Sequence, residues 1–95
     1  MKLIVASAAL ADLERLRAFL ASKDANAAQR AVARIVGAID SLAVFPHRGH
    51  PAGLSGGRDL VVPFGRSAYL VRFTHDRQRG EIVILRIWHG REARE

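Results

Sequence analysis

The chain has 95 residues and carries fifteen Lys and Arg against nine Asp and Glu, a net charge of +6. Sixteen of its hydrophobic residues are alanine, so large apolar side chains are few, and one thin core in a single domain over residues 1–95 is expected. Charged residues at 25% and the lack of any apolar run near the roughly 18 residues of a membrane span exclude a disordered chain and a transmembrane helix.

Lys2 to Ala6 is a short apolar run and reads as a strand. Ser7 is placed to cap a helix over residues 8–22, where Leu10, Leu13, Leu16 and Leu20 recur at helical spacing. Because this pattern continues unbroken from the first residues, the start is not read as a secretory leader. Asp24 caps a second helix over residues 25–44, with Ala28, Val32, Ile35, Val36, Ile39 and Leu42 as its buried stripe. Lys23 and Asp24 alone separate the helices, which predicts an antiparallel helical hairpin. Phe45-Pro46-His47-Arg48-Gly49-His50-Pro51 then stops the helix, and the chain reads as loop through Gly57. Leu60–Val62 is a short strand halted by Pro63. Alternating strands follow over residues 68–75 and 81–89, joined by the loop Asp76–Gly80.

A five-residue loop places His75 opposite Glu81. One face of the hairpin then carries Tyr69, Val71, Phe73, Val83, Leu85 and Ile87, a core face. The other carries Leu70, Arg72, Thr74, Ile82, Ile84, Arg86 and Trp88, a mixture of arginine and apolar groups that marks a partner surface. Arg72 and Arg86 there suit the carboxylates of an acidic partner, or phosphates. The competing reading pairs them with local acids such as Glu81. Trp88 reads equally as an interface anchor and as an aromatic at the edge of the core. Residues 1–57 and 58–95 each net +3, so any basic patch must be assembled by folding, for an anionic partner or as a solvated surface.

Other chemistries find little support. The absence of cysteine removes disulfides and thiolate chemistry and fits a cytoplasmic protein. His47 and His50 lack a third ligand at useful spacing, so no metal and no cofactor are expected. Gly56-Gly57 lacks the phosphate-loop lysine, and no serine sits in a nucleophile elbow. His89 at a strand end could serve as a general acid or base, or be a hydrogen-bonded structural residue.

The order β-α-α-β-β-β, the helix opening Ser7-Ala8-Ala9-Leu10-Ala11-Asp12-Leu13, the Phe45-Pro46 exit, Arg58-Asp59-Leu60 and the final Ile84-Leu85-Arg86-Ile87-Trp88-His89-Gly90-Arg91 occur together. In this the chain resembles the ParE branch of the RelE/ParE toxin superfamily. The resemblance implies an α+β fold, an antiparallel sheet packed on a helical hairpin, and the toxin half of a bacterial type II toxin–antitoxin pair. It implies as partner a cognate ParD-like or other acidic antitoxin, with no membrane and no sequence-specific DNA binding by the toxin alone.

Two activities exist in the superfamily. RelE-like members cut messenger RNA on the ribosome, and ParE-like members are associated with poisoning DNA gyrase. The nucleases carry an arginine where this chain has Leu70, and basic residues where it has Leu60-Val61-Val62-Pro63. A gyrase inhibitor acting by protein–protein contact is therefore expected. The alternative is a ribosome-dependent endoribonuclease using His89 and Arg91. The antitoxin is expected on Leu70, Arg72, Ile82, Ile84, Arg86 and Trp88, and the target on Arg91 and Arg94.

Overall fold

A computed structural model describes residues 1–53 and 56–92. Strand β1 (Lys2–Val5) leads into helix α1 (Ser7–Ala21) and helix α2 (Ala25–Ser41). Strands β2 (His50–Pro51), β3 (Arg58–Phe64), β4 (Ser67–Asp76) and β5 (Glu81–His89) follow. Among the described residues the five strands form one sheet in the order β1-β5-β4-β3-β2. The fold is α+β, with the helical hairpin on one face. β1 runs parallel to β5 and the remaining pairs are antiparallel, so the sheet is mixed. Parallel pairing needs a long crossover, and residues 6–80, helices included, supply it.

Ser7 is the first helical residue and caps nothing with its side chain; Ala6 holds the N-cap position. The Ala6 amide still donates to the Ile84 carbonyl at 2.9 Å, so the ladder carries the chain to the helix start without a linker. Asp24 does cap α2, its carboxylate accepting from the Ala27 amide at 3.1 Å. α2 ends at Ser41, earlier than its apolar pattern suggests, and Val44 and Phe45 are exposed. Its buried stripe is Ala28, Ala31, Ile35 and Ile39, with Leu42 just beyond; Val32 is half-buried and Val36 is exposed.

The segment read as loop contains β2, whose two residues pair with Asp59 and Arg58. β3 continues through Pro63, because β2 covers only its first two residues and the rest is a sheet edge where a missing amide is tolerated.

The β4–β5 register differs from the expected one. Asp76 pairs with Glu81 and His75 with Ile82, because the Asp76 carboxylate accepts from the Gln78 and Arg79 amides, each at 3.1 Å, and closes a tighter turn. A bulge then follows: Arg72 pairs with Arg86 but Phe73 with Ile84, leaving Leu85 as the extra residue. These two features move Ile82 and Ile84 to the core side with Tyr69, Val71, Phe73 and Ile87, where both isoleucines are fully buried. Val83 and Leu85, expected in the core, are only half-buried.

One polar residue joins the helices to the sheet. β1 pairs with β5 only as far as Ile84, and beyond that point α1 lies along the β5 edge. There the Ile87 amide donates to Asp12 Oδ2 at 2.9 Å. Arg86 donates to the same carboxylate through Nε at 2.7 Å and Nη2 at 3.0 Å. Burial pushes the Asp12 carboxyl up, but the Arg86 and Ile87 hydrogen bonds, the Arg86 charge and the Arg15 hydrogen bond outweigh it and hold it below its ordinary value.

Two outcomes follow from this packing. Ile84→Ala should destabilise the protein by about 3 kcal/mol and Leu85→Ala by about 1 kcal/mol in urea unfolding. The reverse order would restore the bulge-free register. Because the folded Asp12 carboxyl lies below its unfolded value, its contribution is full above about pH 4 and is lost as pH falls through the folded value. Asp12→Ala should cost about 2 kcal/mol at neutral pH, less than for a fully enclosed pair because Arg86 is half-exposed. Urea midpoints measured from about pH 5 down to about pH 2 should fall less steeply in the variant; an unchanged slope would remove Asp12 as the acid-sensitive group.

Candidate partner face and target-contact end

Strand register lays two rows across the outer face of the sheet. The first runs Val61–Leu70–Trp88 over β3, β4 and β5, and the second runs Asp59–Arg72–Arg86. Arg72 forms a two-pronged pair with Asp59, Nε to Oδ1 at 2.9 Å and Nη2 to Oδ2 at 3.0 Å. The Asp59 hydrogen bond raises the already high affinity of this guanidinium for its proton. Arg86 reaches round the β5 edge to Asp12. The Trp88 ring lies against both arginines, with guanidinium carbons 4.9 Å (Arg72) and 5.2 Å (Arg86) from its centroid.

Both strand arginines thus have local acids, Asp59 and Asp12, while Glu81 stands at the far end of the strand opposite Asp76 and Lys2. Arg72 and Trp88 are 8% and 6% exposed, so the stack is largely closed to solvent. Leu70 is half-buried and Arg86 exposed on the same face, beside Val61 at 43% exposure. Ile82 and Ile84, expected on this surface, lie in the core instead, for the register and bulge reasons given above.

The other candidate region is the end of the sheet where β5 stops. Tyr69 and His89 pair across β4 and β5, and their rings meet edge to face with centroids 5.5 Å apart. The His89 amide donates to Glu92 Oε1 at 2.7 Å, and Arg15 of α1 donates to Glu92 Oε2 at 2.8 Å. The Arg91 amide donates to His89 Nδ1 at 3.2 Å. Burial, with the Glu92 charge behind it, pushes the Tyr69 phenol up, so it stays protonated at neutral pH. These groups edge a pocket of about 550 Å³ whose walls include Leu16, Phe19 and Leu20. Phe19 is 62% exposed at its rim. Arg94 lies outside the described residues.

Sequence reasoning missed Asp12, Asp59, Arg15, Phe19 and Glu92. A signal existed for Asp12: Ala9, Asp12 and Leu16 share one helical phase, so a carboxylate stood in a buried stripe. Asp59 and Glu92 become partners only through strand register and the turn after His89, which spacing does not reveal.

Comparison with known proteins fits this fold. The family model for the ParE toxin of the type II toxin–antitoxin system, parDE, matches residues 3–94. Toxin RelE1 of Caulobacter vibrioides is 39% identical over 92 residues, 96% of this chain and 95% of that protein. A solved chain from the chromosomal ParDE TA system of P. aeruginosa is 26% identical with a TM-score of 0.72, covering 94% of this chain and 95% of that one. With nearly its whole length matched in sequence and in fold, the chain belongs to the ParE toxin family of type II toxin–antitoxin systems.

Proposed function

We propose that this toxin poisons DNA gyrase through a protein–protein contact at the Tyr69–His89 end, with Arg91 and Arg94 in the contact, and that a cognate ParD-like antitoxin neutralises it. The observation that carries the target reading is Glu92. Its carboxylate sits beside His89, is paired with Arg15, and puts negative charge where phosphodiester cleavage needs cations around a developing phosphorane. His89 Nδ1 is already occupied by the Arg91 amide, and Arg72 and Arg86 are engaged with acids on another face. The apolar walls of the pocket suit a side chain of a protein partner better than a ribose-phosphate.

The purified toxin added to gyrase and relaxed plasmid should block supercoiling and accumulate cleaved DNA. Arg91→Ala should weaken that effect by about tenfold, the loss of one charge-assisted contact. Undisturbed gyrase, together with codon-linked messenger cuts on translating ribosomes that vanish in His89→Ala, would establish the endoribonuclease alternative.

The antitoxin is assigned to the outer face, along the row Val61–Leu70–Trp88 and the exposed side of Arg86. Charge reversal at Arg72 or Arg86 is a poor probe, because it breaks the Asp59 or Asp12 pair and destabilises the toxin itself. Leu70→Asp is the informative variant. It should weaken antitoxin binding by about 100-fold, or about 2.7 kcal/mol, in calorimetry while shifting the thermal midpoint little. Unchanged affinity would move the antitoxin off this face.

A further inference from the structure

We propose that a polar pocket at the opposite end of the sheet, beside the β4–β5 turn, binds a phosphate group. The pocket, about 410 Å³, is lined by His47 from the loop after α2, Arg58 at the start of β3, Thr74 and His75 of β4, and Arg77 of the turn. Among the described residues no carboxylate lines it. Asp76, next in the chain, is turned away to the Gln78 and Arg79 amides.

Arg58 is fixed before any ligand arrives. Its Nε donates to the Arg48 carbonyl at 3.1 Å, and Nη2 donates to the carbonyls of His47 at 3.2 Å and Gly49 at 2.7 Å. These are neutral acceptors, so the guanidinium is positioned without its charge being cancelled. Arg77 makes no ion pair among the described residues. The rings of His47 and His75 meet edge to face at 5.7 Å. His75 Nε2 is, among the described residues, the buried side-chain nitrogen left without a hydrogen-bond partner. Buried polar atoms in native proteins are almost always satisfied, so an orphan nitrogen in a pocket that two arginines line points to a polar partner there.

The chemistry of that partner follows from the residues around it. Two arginines and two histidines line the pocket from the loop after α2, from β3, from β4 and from the β4–β5 turn, which suits a multi-oxygen tetrahedral anion. Free phosphate and the phosphodiester of a nucleic-acid backbone both present it. The pocket lies at the far end of the sheet from Tyr69 and His89, and the assignment does not depend on the gyrase reading.

The test is titration of the full chain with inorganic phosphate at constant ionic strength, followed by NMR of the histidine rings and backbone amides. Saturable shifts should concentrate on the His47 and His75 rings and the Thr74 and Arg77 amides. Arg77→Gln and His75→Phe, the second keeping a ring against His47, should each weaken binding by at least about threefold. Arg30→Gln removes the same charge from α2 and should leave binding unchanged. Shifts that never saturate, or equal weakening by Arg30→Gln, would overturn the site in favour of general attraction to a basic protein. A labelled duplex oligonucleotide then separates the sources. Displacement of phosphate by the duplex, sensitive to Arg77→Gln and not to Arg30→Gln, identifies a backbone phosphate. Persistence of the phosphate-bound ring signals in its presence identifies the free anion.

Discussion

Asp12 fixes the helical hairpin to the sheet at the point where strand pairing runs out. Beyond Ile84 the outer edge of β5 has, among the described residues, no strand beside it, and an unpaired amide buried there costs about 1–3 kcal/mol. The Asp12 carboxylate accepts the Ile87 amide and so ties α1 along that edge. The placement of α1 in turn carries Leu16, Phe19 and Leu20 to the pocket beside Tyr69 and His89, and Arg15 to Glu92. The same carboxylate holds Arg86 where it can lie against Trp88. The outer face and the Tyr69–His89 end are therefore both set by one buried charge.

Much of this architecture was legible from residue patterns. The leucine spacing of α1, the Asp24 cap and the 81–89 strand stand where the sequence puts them, because each rests on local periodicity or one side-chain-to-backbone bond. What was not legible depends on pairing. The Asp76 turn shifts β4 against β5 by one position, and the bulge at Leu85 shifts part of the ladder again. Alternation along an isolated strand has no means of recording either change. Ile82 and Ile84 consequently changed sides, whereas Leu70, Arg72, Arg86 and Trp88 kept the common face expected of them.

The net charge of +6 is unevenly available. Arg15, Arg17, Arg72 and Arg86 are held by Glu92, Glu14, Asp59 and Asp12, so most of the arginines around the sheet core and α1 are spent on internal order. Arg30, Arg34, Arg66 and Arg77 make no ion pair among the described residues, and they lie on α2 and in the turns. Composition gives the size of the basic surplus. Its location follows only from which carboxylates the fold brings within reach of which guanidiniums.

This distribution bears on how an acidic antitoxin segment would engage the outer face proposed for it. A carboxylate approaching Arg72 competes with a two-pronged Asp59 pair already made, and at Arg86 it competes with Asp12. Little net energy comes from exchanging one acid for another, and displacing either aspartate would leave it without its guanidinium partner in a partly enclosed site. Stable binding on this face must therefore come from covering Val61, Leu70 and the rim of Trp88, where apolar area leaves water. The stack beneath that row is held from both sides by ion pairs, so little side-chain freedom remains to be lost when a partner settles on it. In that arrangement the arginines at the periphery that make no ion pair among the described residues would act at longer range, drawing an acidic segment toward the toxin. In such a division of labour salt slows association and barely alters the lifetime of the complex, because the charges guide the encounter while the apolar row holds the product.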